Sequence, residues 1–227
     1  MSILTLVPGL PRHAHAHAYA TVVLNGRFEQ AGETGRRRLS AGDVVVHAIR
    51  SSHRYRLEQP VEVLNLPLPA LYVGAVGPGR AAGLDDILRL ARTDRVSAAR
   101  ALLAAFTRAG GGLEEPPDRL AARLRTEPCL RIGDWAREEG VARETAFRWF
   151  RQAYGVAPSR YRVEARARSA WKQILDTREP LAEVAVALGF ADQAHMTRDV
   201  VALTGLTPAR WRAQLQHPFK TGRAGAA

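Results

Sequence analysis

The stretch "LAEVAVALGFADQAHMTRDVVALTGLTPARWR", residues 181–212, decides how this chain is read. Leu181, Val184, Ala185 and Leu188 fall on one face at helical spacing. Gly189 breaks the pattern, and the period resumes with Met196, Val200 and Leu203 until Gly205. Two short amphipathic helices joined at a glycine are the pattern of a helix-turn-helix.

The same pattern occurs once before. Ile132, Ala136 and Gly140 match Leu181, Ala185 and Gly189 at an offset of 49 residues. Arg148, Phe150, Gly155, Pro158 and Tyr161 match Arg198, Val200, Gly205, Pro208 and Trp211 at an offset of 50. The unit is therefore duplicated, and the turn of the second copy is one residue longer. Ala136 and Ala185 are small where the paired helices cross, and Val141 and Phe190 are apolar residues expected to tuck beneath the turn. In a helix-turn-helix the second helix lies in a DNA major groove. The helix predicted between the copies, Pro158 to Asp176, has 19 residues and a length of about 28 Å. Successive major-groove faces lie about 34 Å apart, so such a connector suits two recognition helices on one face of bent DNA.

With these residues in place, the region from 117 to about 214 resembles the C-terminal part of the AraC/XylS family of bacterial transcription regulators. The resemblance rests on the Gly189-Phe190 turn, Asp192, Gln193, Arg198, Gly205, Thr207 and Pro208, and on Gly140, Arg148, Phe150, Gly155, Pro158, Tyr161 and Arg166. It implies double-stranded promoter DNA as partner, with RNA polymerase and a second copy of the chain as further partners. The solvent face of the first recognition helix carries Arg143, Glu144, Thr145, Arg148 and Arg151. The resemblance marks the Glu144, Phe147 and Arg148 positions as base-facing. Arg148 can grip guanine through two hydrogen bonds; a phosphate anchor or an ion pair with Glu144 is its alternative role. The second helix offers Gln193, Ala194, His195 and Arg198, of which Gln193 and Arg198 match positions the family uses. Ala142 stands where the family often has a serine N-cap, a loss of about 1 kcal/mol. "RDVVALTG" lacks the usual basic residues, so a weaker grip is expected from the second copy.

Upstream, "GGGLEEPPD", residues 110–118, reads as a linker and the expected domain boundary. Before it, residues 84–109 support two short helices, with Asp94 as an N-cap. Residues 14–73 read as strands: "AHAYATVVLNG" ending at Asn25-Gly26, "AGDVVVHAI", "VEVLNLPL" and "ALYVGAV". The expected architecture is α+β and multidomain. A small cupin-like β-barrel occupies 1–75, a helical connector and linker 76–116, an all-α domain with two helix-turn-helix units 117–216, and a disordered tail 217–227.

Within the first part, "RHAHAHAY" alternates histidine with alanine, so an extended strand points His13, His15, His17 and Tyr19 one way. The "HAH" of His15–His17, the "AGD" of Ala41–Asp43 and His53 resemble the cupin-type sensor half found in the same family. That resemblance implies a pocket for a small-molecule effector, lined by His13, His15, His17, Tyr19, His47 and His53. Enzymatic cupins hold a metal with histidines and a glutamate. His15, His17 and His53 supply three ligands suited to Zn, Fe, Cu or Ni, but Thr21 and Val22 occupy the stretch where the glutamate should fall. Surface or structural histidines are the third reading.

Composition bounds these readings. The chain has 227 residues, 46% hydrophobic, enough for a proper core. One cysteine, Cys129, excludes a disulfide framework and a four-cysteine zinc site. No run of about 18 apolar residues suggests a membrane span, and the N-terminus lacks the pattern of a signal peptide, so a cytoplasmic protein is expected. The formal charge of +11 suggests a polyanionic partner, although the bias to Arg, with only Lys172 and Lys220 as lysines, also suits a GC-rich genome. These features together predict a transcription regulator without catalytic activity. A metal-dependent cupin enzyme with a vestigial helical part, and a DNA-binding protein whose barrel only dimerises, are the alternatives.

Overall fold

A computed structural model describes residues 3–7, 11–69, 72 and 76–216. The expected strand at 70–76 falls, but for Tyr72 and Val76, outside the described residues, as does the tail from 217. The chain divides into two compact units: Met1–Arg123 with Arg131–Pro158, and Leu124–Leu130 with Ser159–Ala227.

The first unit begins with strands β1 (Leu4–Leu6), β2 (His13–Ala14), β3 (Tyr19–Asn25), β4 (Arg27–Gly32), β5 (Gly35–Ser40), β6 (Val44–His47), β7 (Ser52–Arg56), β8 (Val61–Pro67), β9 (Gly77–Ala81) and, after two helices, β10 (Phe106–Arg108). They form two antiparallel sheets, ordered β1-β8-β3-β6-β9-β10 and β2-β7-β4-β5. The run Val44-Val45-Val46 explains how the sheets are covered. Val44 and Val46 join Ala20, Val22, Leu64 and Leu66 beneath helices α1 (Leu84–Leu90) and α2 (Arg95–Ala105), through Ile87, Ala98, Ala99 and Leu102. Val45 points the other way, into a core with Val23, Phe28, Leu39, Tyr55, Val61 and Val63. Both faces of β6 are thus buried, which is why the strand reads as an unbroken apolar run. Asp94 caps α2 by accepting from the amides of Val96 and Ser97 at 3.0 Å, as its position predicts.

The sheet extends past residue 75, the expected end of the barrel. β9 pairs with β6, and β10 pairs with β9. Residues 77–81 and 106–108 are thus strands of the same sheet, with α1 and α2 between them. The glycine-rich linker is also tied down: the amides of Ala109 and Leu113 donate to the carbonyls of Pro78 and Arg36 at 3.0 and 2.9 Å.

The helical region follows with α3 (Pro116–Thr126), α4 (Ile132–Glu138), α5 (Arg143–Tyr154), α6 (Pro158–Asp176), α7 (Leu181–Ala187), α8 (Gln193–Thr204) and α9 (Pro208–Gln216). The helix pairs α4/α5 and α7/α8 are the two copies. Gly140 and Gly189 turn with φ of 68° and 72°, and Gly155 and Gly205 stop the second helices at 69° and 81°. Each is a left-handed position that favours glycine. In both turns the residue after the glycine donates to the crossing alanine, Val141 to Ala136 and Phe190 to Ala185, at 2.9 Å. In the second unit Ala167, Ala170, Trp171 and Ile174 of α6 are buried, with Val184, Met196, Val200 and Trp211. The rings of Trp171 and Trp211 meet edge to face at 5.3 Å.

Candidate DNA-reading helices and a histidine cluster

On α5, Ala146, Phe150 and Tyr154 are buried. The spacing of these residues turns Arg143, Glu144, Arg148 and Arg151 outward, and all four are exposed. With Phe147 they line one open surface hollow. Thr145 is half-buried and lies outside it. The Arg143 guanidinium lies over the Phe147 ring, 5.0 Å from its centre. The helix starts at Ala142 without a side-chain cap, as the sequence suggests.

On α8, Met196, Val200 and Thr204 face inward. Gln193, Ala194 and Arg198 are exposed, but His195 is half-buried. Its ring meets Phe190 edge to face at 5.3 Å. Arg166 of α6 reaches it at 3.3 Å, lies over Phe190 at 4.3 Å, and donates to Asp199 at 3.4 Å and to the Gly189 carbonyl at 3.1 Å. His195 is thus engaged within the protein, whereas Gln193, Ala194 and Arg198 face outward. Asp192 caps the helix by accepting from the His195 amide at 2.6 Å.

The N-terminal histidines do not lie on one continuous strand. β2 ends at Ala14 and β3 starts at Tyr19, in different sheets. The break between them separates His17, which is exposed, from His13 and His15. His13 sits opposite His53 in the β2–β7 register. A ring nitrogen from each of His13, His15 and His53 lies within 4.8 Å of the others. The structure therefore brings together His13, His15 and His53, where the cupin-like spacing suggests His15, His17 and His53. His47 joins them, 4.6 Å from His53 and stacked on Tyr19 at 4.4 Å.

Burial sets the electrostatics of this cluster. Desolvation holds His47 near pKa 3 and His53 well below its usual range, helped by the neighbouring histidines. Burial thus favours the neutral imidazole in both. Desolvation also raises the Tyr19 phenol, and pushes Tyr55 up to about 12. The Tyr19 hydroxyl lies 3.3 Å from His53 Nε2. His53 Nδ1 and His47 Nε2 are buried with no hydrogen-bond partner, positions that call for a ligand or a bound water.

Four further residues join the sheets to α5, and sequence reasoning does not single them out. Arg36 of β5 is buried and donates to Asp118 of α3 at 3.1 and 2.9 Å, to Glu29 at 3.0 Å, and to Glu115. Burial opposes its charge, but these carboxylates outweigh that and hold its pKa above the usual range. Asp118 also accepts from the Tyr154 hydroxyl at 2.9 Å. Arg12 donates to the Tyr154 carbonyl at 3.4 Å, and Arg54 to the Gln152 and Arg151 carbonyls at 2.6 and 3.4 Å. Two cations thus meet the carbonyl end of α5, where the helix dipole favours them. In the sequence all of these arginines look like ordinary surface charge; only the adjacency of Arg12 to His13 and of Arg54 to His53 hints at a role.

Comparison with known proteins agrees with the duplicated helices. Residues 135–214 match a family model described as a helix-turn-helix domain. An HTH-type transcriptional regulator of Mycobacterium tuberculosis is 28% identical over 98 residues, 43% of this chain. The match spans 38% of that regulator's length. Among solved structures, an AraC-type transcriptional regulator from Chromobacterium violaceum is 26% identical with a TM-score of 0.42, covering 46% of this chain and 95% of that one. ToxT from Vibrio cholerae is 8% identical with a TM-score of 0.43, covering 95% of this chain and 98% of that one. Among the described residues no helix is long and apolar enough to cross a membrane. Residues 135–214 of this chain are a helix-turn-helix domain.

Proposed function

We propose that this chain is a sequence-specific DNA-binding regulator of transcription, working in the cytoplasm through binding rather than catalysis. The observation that carries the reading is the exposed face of α5. Arg143, Glu144, Arg148 and Arg151 project from a helix held by a helix-turn-helix core, the arrangement that reads base edges in a major groove. The net charge of +11 suits the same polyanion. The name of the mycobacterial relative, a transcriptional regulator, supports it. In this reading Arg148 contacts a base, Gln193 and Arg198 of α8 contribute from the second copy, and the N-terminal sheets sense an effector. Ligand binding shifts the population of DNA-competent chains. RNA polymerase and a second copy of the chain are the further partners the reading implies.

The test is retention of fragmented genomic DNA by the purified chain at two salt concentrations, with sequencing of what is retained. A shared site built of two short elements about one helical turn apart supports the proposal. Sequence-blind retention that vanishes as salt rises overturns it, because phosphate attraction alone behaves that way.

A further inference from the structure

We propose that His13, His15 and His53 form a site for one first-row transition-metal ion, and that its occupancy acts on the recognition helix α5 through Arg12 and Arg54. The second part of this inference rests on the DNA-binding reading above; the first part does not.

The site is argued from geometry. Three imidazole nitrogens from β2, the segment after it and β7 lie within 4.8 Å of one another. Three imidazoles suit zinc, cobalt, nickel or copper. Each of the two strand histidines has one ring nitrogen already engaged. His13 Nδ1 lies 2.9 Å from the Pro11 carbonyl, to which only a protonated nitrogen can donate, so Nε2 keeps its lone pair. His53 Nε2 faces the Tyr19 hydroxyl, and its buried Nδ1 has no partner. A ligating histidine whose other nitrogen is fixed by a carbonyl or hydroxyl is the arrangement that orients metal ligands.

The link to α5 is covalent on one side and hydrogen-bonded on the other. Arg12 precedes His13, and Arg54 follows His53. Both guanidinium groups end on the last carbonyls of α5. Arg54 also packs where a Cβ on Gly155 would stand, its Cδ only 2.8 Å away. In a tetrahedral site with metal–nitrogen bonds of 2.0–2.1 Å, ligand nitrogens lie about 3.3 Å apart. Binding would therefore close the three nitrogens from a spread of up to 4.8 Å onto one ion, re-setting the rings of His13 and His53 and, through the adjoining backbone, the two arginines at the helix end. The ion has different contacts in the two arrangements, which is what a shift in helix position requires.

The experiment uses the full-length chain stripped with a chelator and titrated with Co(II), followed by visible absorption, with Zn(II) competition. Binding of one equivalent, with tetrahedral ligand-field bands, is expected. Affinity should fall at least tenfold in His13→Ala and in His15→Ala, two half-buried positions that keep a folded variant available if His53→Ala fails to fold. DNA affinity is then read by anisotropy on a fragment recovered from the genomic selection, with and without Zn(II). A change of about fivefold or more is expected in the parent chain. It should vanish in the Arg12→Ala/Arg54→Ala double variant, which still binds Co(II). Absence of stoichiometric binding, or binding untouched by His13→Ala and His15→Ala, overturns the site. Tight metal binding with unchanged DNA affinity, or an undiminished response in the double variant, overturns the relay. Failure to select any specific DNA, with or without metal, counts against the proposed function and leaves the metal result standing.

Discussion

In the first helix-turn-helix copy the residue that closes the recognition helix on its inner side is Tyr154; at the same place in the second copy it is Thr204. The Tyr154 hydroxyl leaves its own copy and donates to Asp118, which is held in turn by Arg36 of the sheet. The Thr204 hydroxyl stays at home: it donates to the Val200 carbonyl at 2.7 Å and accepts from the Trp211 indole at 2.8 Å. The outward faces differ as well. α5 exposes Arg143, Arg148 and Arg151, whereas α8 exposes Arg198 alone among its cations while Arg166 engages His195 and Asp199. One backbone pattern thus serves two tasks. The first copy is the more highly charged on its outer face and is tied to the N-terminal sheets; the second is closed on itself. Duplication fixes which positions are buried, and the neighbours of those positions decide what each copy can do.

The comparison breaks most readily at Arg36. Arg36→Met should leave Asp118 buried without its cation, a loss on the order of 3–5 kcal/mol. The first unit should then unfold at lower denaturant, while Thr204→Val in the second costs about 1–3 kcal/mol. Equal costs, measured by urea unfolding of each variant, would remove the distinction between a tied and a closed copy. On DNA, Arg148→Ala should cost about 1–3 kcal/mol of discrimination, and Arg198→Ala less, with both variants folded by circular dichroism. Anisotropy on a selected site checks this, and a larger loss from Arg198→Ala would reverse the assignment of the dominant reader. The smallest effect concerns the caps. Ala142→Ser should raise stability by about 1 kcal/mol and Asp192→Ala lower it by about the same. Thermal unfolding of the two variants should therefore shift in opposite directions.

Much of this was legible from residue spacing. The glycines at 140, 155, 189 and 205, and the apolar positions between them, place four helices correctly because helix period and left-handed stops are local properties. The Val44–Val46 run marks a strand, but its double burial depends on helices 40 to 60 residues later. The β4–β5 hairpin turns at Glu33-Thr34 between Gly32 and Gly35, and its strands carry so many charges that no alternation advertises them. At the histidines, strict alternation suggests one strand face, and the chain instead breaks between β2 and β3. The triad that results depends on cross-strand register between His13 and His53, which spacing cannot supply. Arg36 illustrates the limit: it sits in an "RRR" run like any solvated cation, and only the fold brings three carboxylates to it.

That same guanidinium determines where the molecule can be cut. The glycine-rich stretch at 110–112 invites excision of the helical region as a fragment, yet its partner for Asp118 lies far upstream on β5. A fragment starting at 117 would carry away Asp118 and Tyr154 and leave Arg36 behind. Its first recognition helix would keep the Tyr154–Asp118 bond but lose the Arg36 cation behind it and the two arginines at its carbonyl end. The second copy holds its own closing contacts within residues 200–211 and loses none of them in such a cut. A cut at the glycines therefore costs the two copies unequally: the first loses three arginine contacts from the sheets, the second none of its closing hydrogen bonds.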